Sequence, residues 1–171
     1  MIRSRRIVLV PFCALAQGIR AQGIVRNYPA VVTPVISCLS EHNVNIHQMP
    51  CPELCFDRLI RRPKQKSAYA DERCQLGYAS AANLVTAQVE MYMSNGYEVV
   101  AIMGIEFSPS CAVSLITGPP PKRIQPGQGF FIEALSHALR AKGKNIPFIG
   151  IKTSKPEDAV RELRILLKEE G

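Results

Sequence analysis

The sequence predicts an α/β fold: an open, parallel, four-stranded sheet wrapped by helices, Rossmann- or flavodoxin-like, with strand order 2-1-3-4. Short apolar runs alternate with helix-like stretches in the order βαβαβαβα, separated by linkers rich in Gly and Pro. That alternation implies parallel strands joined by right-handed crossovers. Three of the apolar runs are also followed closely by a cysteine: Cys13, Cys51 and Cys111. The carboxyl ends of strands in such a sheet line the crevice where ligands bind.

The first strand is read at residues 7–10, and a loop containing Gly18 and Gly23 follows it. A helix is expected with Thr33 as N-cap and Pro34 at its first position, ending near His42. Residues 44–49 form the second strand, stopped by Pro50. A long helix is expected over residues 70–94, with Leu84, Val85, Val89, Tyr92 and Met93 roughly at helical spacing and Asn95-Gly96 ending it. The third strand, residues 99–105, follows at once. The segment after Cys111 carries Gly118, three consecutive prolines and Pro126-Gly127, a pattern that no regular element tolerates. Phe131, Leu135 and Leu139 mark a third helix, residues 148–151 the fourth strand, and Ser154 to Glu157 a capping box opening a helix with Val160, Leu163 and Leu167 on one face. There is no internal repeat or low-complexity tract.

At 171 residues and 47% hydrophobic, the chain is expected to be one domain, residues 1–171, with a single core. Its basic start and apolar run ending at Cys13 imitate a secretory signal, but Pro11-Phe12 replaces the small residues of a processing site and the run suits a strand. No segment approaches the ~20 apolar residues of a membrane span. A cytoplasmic location, with no membrane partner, is therefore the expectation. The net charge of +7 concentrates at residues 3–6, in Arg58, Arg61, Arg62, Lys64 and Lys66, and at Lys122-Arg123. Such stretches are either solvated loops or attractors of an anionic partner, and RNA recruitment is the less favoured reading.

In a chain that needs no disulfide staples, clustered cysteines point to metal binding or catalysis. Cys13, Cys51 and Cys111 are 38 and 60 residues apart, so only the fold can join them. Their positions suit a shared iron-sulfur cluster with three protein thiolates, which leaves one iron open as a Lewis acid. Zinc is the next choice, but the paired short-spaced motifs of structural zinc are missing. Cys55 is a fourth ligand, a resolving or sulfur-carrying thiol, or a packing residue; Cys38 and Cys74 lie in predicted helices and read as inert core residues.

The segment Cys13-Ala-Leu-Ala-Gln-Gly-Ile-Arg20-Ala-Gln-Gly23 resembles the C-L-L-G-x-x-x-R-Y-D-G opening of the thiouracil desulfurase (TudS) family. Cys51-Pro52-Glu53 is similar to its C-P-E, Ser108-Pro109-Ser110-Cys111 to its S-P-S-C-G, and Pro126-Gly127-Gln128-Gly129 to its P-G-x-G. These motifs fall in order within residues 7–151. The resemblance implies a 4Fe-4S cluster on Cys13, Cys51 and Cys111, and non-redox removal of sulfur from a thiolated nucleobase. Ala16, Ala21-Gln22 and Ala112 depart from the pattern, and the proline-arginine signature after C-P-E is absent. These departures touch the pocket more than the ligands.

The expected function is thus a desulfidase acting on a thiolated small molecule. The open iron would polarise C=S while a base, Glu53 or His47, activates water, and sulfur would leave on the cluster. Ser108 would orient water or donate a hydrogen bond to developing charge. Arg20 would hold substrate or form a structural salt bridge, and Gly127 and Gly129 would let backbone N–H groups approach the substrate or simply shape a turn. The rival is a cluster-binding electron-transfer or assembly module closed by Cys55. A sulfur-transfer protein acting on RNA is the third reading.

Overall fold

A computed structural model describes residues 3–121 and 123–168. Lys122 of the predicted basic stretches, like Met1 and Ile2 of the signal-like start, lies outside the described residues. The main sheet contains β1 (Arg6–Pro11), β2 (Asn45–Met49), β3 (Glu98–Ile105) and β6 (Phe148–Ile151), all parallel, in the order β2-β1-β3-β6. This is the predicted 2-1-3-4 order. The winding reverses at β1, which has β2 on one side and β3 on the other.

Burial explains the continuous apolar runs. Five of the six residues of β1 and seven of the eight of β3 are buried, as expected of parallel strands covered on both faces. The edge strand β2 keeps only Met49 buried and shows more polar character. Helices α2 (Thr33–Glu41), α4 (Glu72–Ser94), α5 (Phe130–Ala141) and α6 (Glu157–Lys168) pack around the sheet, and the short turns α1 (Phe12–Leu15) and α3 (Glu53–Phe56) follow β1 and β2. The apolar faces of α5 and α6 bury Phe131, Leu135 and Leu139, and Val160, Leu163 and Leu167.

The structure corrects several local expectations. Val32, not Thr33, caps α2, because the Val32 carbonyl already accepts from the Val35 and Ile36 N–H groups. The long helix starts at Glu72 with Asp71 as its N-cap, the Asp71 carboxylate accepting from the Cys74 N–H at 3.0 Å. On α4, Leu84 and Met93 face outward rather than into the core. Helix α6 begins beyond Ser154, with the Val160 N–H donating to the Pro156 carbonyl. The proline-rich segment is flanked by a two-stranded antiparallel hairpin, β4 (Leu115–Thr117) and β5 (Ile124–Pro126). Its strands are three residues each, too short to register as apolar periodicity.

Candidate functional site

Each of the three cysteines is delivered by a sheet strand. Cys13 lies in α1, two residues past the last of β1; Cys51 is two residues past β2; Cys111 sits in the loop six residues past β3. All three line one cavity of about 480 Å³. Burial pushes the Cys13 thiol up to about 12, with Arg20 opposing and Cys51 adding to the rise. Cys111 is raised well above the ordinary thiol range by burial and then by Cys13 and Cys51, and Cys51 by burial and Glu53. Like charges gathered in a buried space disfavour the thiolate form.

A buried polar hub ties the three cysteine segments together. Glu53, two residues after Cys51, receives two hydrogen bonds on Oε2, from Arg61 Nε at 3.0 Å and Nη2 at 2.7 Å. Its Oε1 accepts from the Ser110 hydroxyl at 2.7 Å, and Ser110 immediately precedes Cys111. Tyr78 of α4 lies 2.7 Å from the Ser110 oxygen. Since Ser110 gives its proton to the carboxylate, Tyr78 is the donor in that bond. The third segment joins through Arg61, whose Nη1 donates to the Ile19 carbonyl at 2.8 Å and whose carbonyl accepts from the Gln22 N–H.

The loop carrying Cys111 is fixed by its own backbone. Ser108 Oγ accepts from the Ser110 and Cys111 N–H groups at 3.2 and 3.0 Å. Buried Glu106 accepts from the Val113, Ser114 and Leu115 N–H groups and from the Ser114 hydroxyl. A Cβ on Gly150 would stand 1.9 Å from Glu106 Oε1, and one on Gly104 2.2 Å from the Cys111 carbonyl oxygen. Phe107, at the turn out of β3, holds a left-handed φ of 69°, a conformation that costs free energy in a bulky residue and recurs at functional sites.

The predicted site residues divide clearly. Arg20, Glu53 and Ser108 line the cavity with the cysteines. Arg20 donates through Nη1 to Gln17 Oε1 and Thr153 Oγ1, both at 3.2 Å, and has no carboxylate partner among the described residues, so the expected alternative of a structural salt bridge is not formed. His47 turns away: Nδ1 accepts from Tyr92 OH at 2.9 Å and Nε2 donates to Gln88 at 3.1 Å, both on α4. That placement gives it no water to activate at the cavity. Gly127 and Gly129 do not line the cavity either. Their N–H groups donate to the Ser114 and Ala112 carbonyls, and a Cβ on Gly129 would stand 2.2 Å from the Ser110 backbone. Close helix-to-loop packing, rather than substrate contact, accounts for Gly129.

Cys55 is exposed and lies outside the cavity lining. Cys38 and Cys74 are buried in helices, as expected. The basic stretch is largely spent internally: Arg61 pairs with Glu53, Lys64 with Asp57 and Lys66 with Glu133. Arg62, together with Arg20 and Arg26, lines the cavity without a carboxylate partner among the described residues. Sequence reasoning missed the hub. Ser110 stood in a quoted motif, and Glu106 was detectable as a lone carboxylate extending a buried strand.

Among the described residues no group of three or more His, Cys, Asp or Glu is set to hold a metal ion. One zinc ion needs its donors about 2.3 Å from a common centre, whereas a cube takes each thiolate on a different iron. Three thiols lining one cavity are the donor set that such a cube would take.

The chain shares the fold of TudS. Superposed on the solved [4Fe-4S]-dependent thiouracil desulfidase TudS, it gives a TM-score of 0.53 at 19% identity, covering 94% of this chain and 99% of that one. In sequence it is 27% identical over 112 residues to an uncharacterized protein of Methanocaldococcus jannaschii, covering 66% of this chain and 70% of that protein. No family model matches the chain. Among the described residues no helix is long and apolar enough to cross a membrane.

Proposed function

We propose that the protein is an iron-sulfur-dependent desulfidase that removes sulfur from a thiolated small molecule, such as a nucleobase, carrying an anionic group. The observation that carries this reading is the convergence of Cys13, Cys51 and Cys111 on one cavity that excludes Cys55. A closed, electron-carrying cluster would need Cys55 as fourth ligand. Likeness in fold to TudS supports the same reading. When bound on the three thiolates, a 4Fe-4S cluster supplies an iron without a protein ligand, a Lewis acid for thiocarbonyl sulfur.

The chain's own residues supply the rest. Arg20, Arg26 and Arg62 attract and orient the anionic group. Ser108 accepts from two backbone N–H groups and its hydroxyl faces the Cys111 sulfur, where it opposes the rise of that thiol, so it is placed to stabilise negative charge at the cavity. An ionised carboxylate offers about four acceptor sites. Glu106 accepts four bonds, three on Oε2 and one on Oε1, all from the loop that carries Cys111, whereas Glu53 accepts three and keeps one site on Oε1. Glu53, two residues from Cys51 and on the cavity wall, is the carboxylate assigned to take the proton from an attacking water.

The test is anaerobic reconstitution with iron and sulfide, followed by measurement of sulfide release from thiolated pyrimidines with and without an anionic substituent. Release is expected, with Ser108→Ala lowering kcat by about 10²–10³-fold and Arg26→Ala raising KM for the anionic substrate. A fully loaded protein that releases no sulfide from either class would overturn the proposal.

A further inference from the structure

Helix α4 buries one face and leaves the other without a partner. Between Arg73 and Glu90 the sequence has no charged residue over four turns of helix, although the outward positions are in solvent. Leu76, Leu84 and Met91 are 65%, 53% and 52% exposed. Surface helices ordinarily place charges on that side, and an uncharged exposed face with large apolar side chains marks an interaction site.

The pattern along this face is self-complementary. Positions 73, 76, 80, 83, 87 and 90 recur at helical spacing and share one side. Two such helices laid antiparallel about a two-fold axis at residues 81–82 bring Leu76 opposite Ala87 and the polar Ser80 opposite Asn83, with Leu84 on the flank of the seam. The large Leu76 thus meets a small side chain. The same register places Arg73 opposite Glu90. Arg73 has no ion pair among the described residues, and Glu90 has a long contact of 3.7 Å to Lys142 of α5. Charge and shape therefore agree on one register, and a two-fold axis uses every contact twice.

We propose that the exposed face of α4 is the surface through which two copies of this chain associate, antiparallel, with Arg73 of each facing Glu90 of the other. The helix between these residues is about 26 Å long, and one such helix pair covers less than the roughly 800 Å² per partner of a standard interface. The dimer is therefore weak and concentration-dependent. The cavity lies at the carboxyl ends of the strands, and none of its lining residues belongs to this face. The association is thus independent of the proposed reaction.

Sedimentation equilibrium of the full chain over a wide concentration range tests this. A monomer–dimer equilibrium is expected, abolished by Leu84→Asp. Arg73→Glu and Glu90→Arg alone should each weaken it, by roughly two- to fivefold for each of the two symmetry-related pairs. The double variant Arg73→Glu/Glu90→Arg should restore it, because the swapped charges still face one another. All four variants lie on the solvent side of α4, and circular dichroism confirms that each keeps the parent fold. A monomer at every concentration, or a dimer indifferent to Leu84→Asp, overturns the proposal. A double variant no stronger than the singles overturns the antiparallel register.

Discussion

Removing the carboxylate of Glu53 should destabilise the protein far more than its position in a short loop suggests. The Glu53 and Arg61 side chains are 11% and 6% exposed, so water can replace little of what the pair provides. In Glu53→Leu, the Arg61 guanidinium keeps the Ile19 carbonyl but loses both bonds to Oε2, and the Ser110 hydroxyl loses its acceptor. An orphaned buried charge costs about 3–5 kcal/mol, which for a chain of this size lowers Tm by roughly 6–20 °C. Arg61→Met should fall in the same range, because it orphans the carboxylate instead. The double variant Glu53→Leu/Arg61→Met leaves no charge behind, and apolar replacement of a whole buried pair is often neutral, so most of the lost stability should return. Thermal unfolding of the metal-free protein, followed by circular dichroism, reads all three. A Glu53→Leu variant melting within about 2 °C of the parent, less than the shift expected from 1 kcal/mol, would refute the hub as a stabilising element.

Three further outcomes follow from the same geometry. Serine in place of Cys13, Cys51 or Cys111 should each reduce iron and sulfide content after reconstitution, whereas Cys55→Ala should retain both; a cluster lost with Cys55 would contradict its exclusion from the cavity. Gly150→Ala sets a Cβ against Glu106 Oε1, and the carboxylate is pinned through Oε2 by the 113–115 backbone and through Oε1 by the Ser114 hydroxyl, so a loss of about 1–3 kcal/mol is expected in denaturant titration. His47 is lowered below its ordinary 6.5 by burial, with Gln88 opposing, and its two ring nitrogens are satisfied in the neutral form. The unfolded chain then takes up the proton first, so this residue's contribution is intact above pH 6.5, declines as the pH falls below it, and levels off beneath the lowered folded value. His47→Gln should flatten that segment of the stability profile.

The sheet was legible because its central strands are buried on both sides and so read as unbroken apolar runs; the reversal at β1 matches the expected strand order, which the alternation of elements alone does not dictate. The cysteine triad was legible for the same reason, each thiol lying just past such a run. What escaped the sequence depends on distance in space. Arg61 looked like one charge among five in a basic stretch, and nothing in the residues 53–61 says that the two ends fold back into a buried pair. His47 looked like a base because it stands on a site-bearing strand, but side chains alternate between the faces of a strand, and His47 points to α4. Gly127 and Gly129 preceded a helix and suggested a ligand-facing amide, yet the amides were already taken by the neighbouring loop.

The hydrogen bonds that join Glu53, Ser110, Arg61 and Ile19 involve no sulfur atom. The three loops that present the cysteines are therefore held in register by oxygen and nitrogen alone, and the entropy of bringing distant stretches of chain together is spent during folding rather than during cofactor assembly. In a zinc finger the metal supplies the folding free energy, so its removal unfolds the chain. Here the relationship runs the other way: a cofactor seated on these thiols could be lost to oxygen and rebuilt repeatedly on an intact scaffold, without the polypeptide passing through its unfolded state.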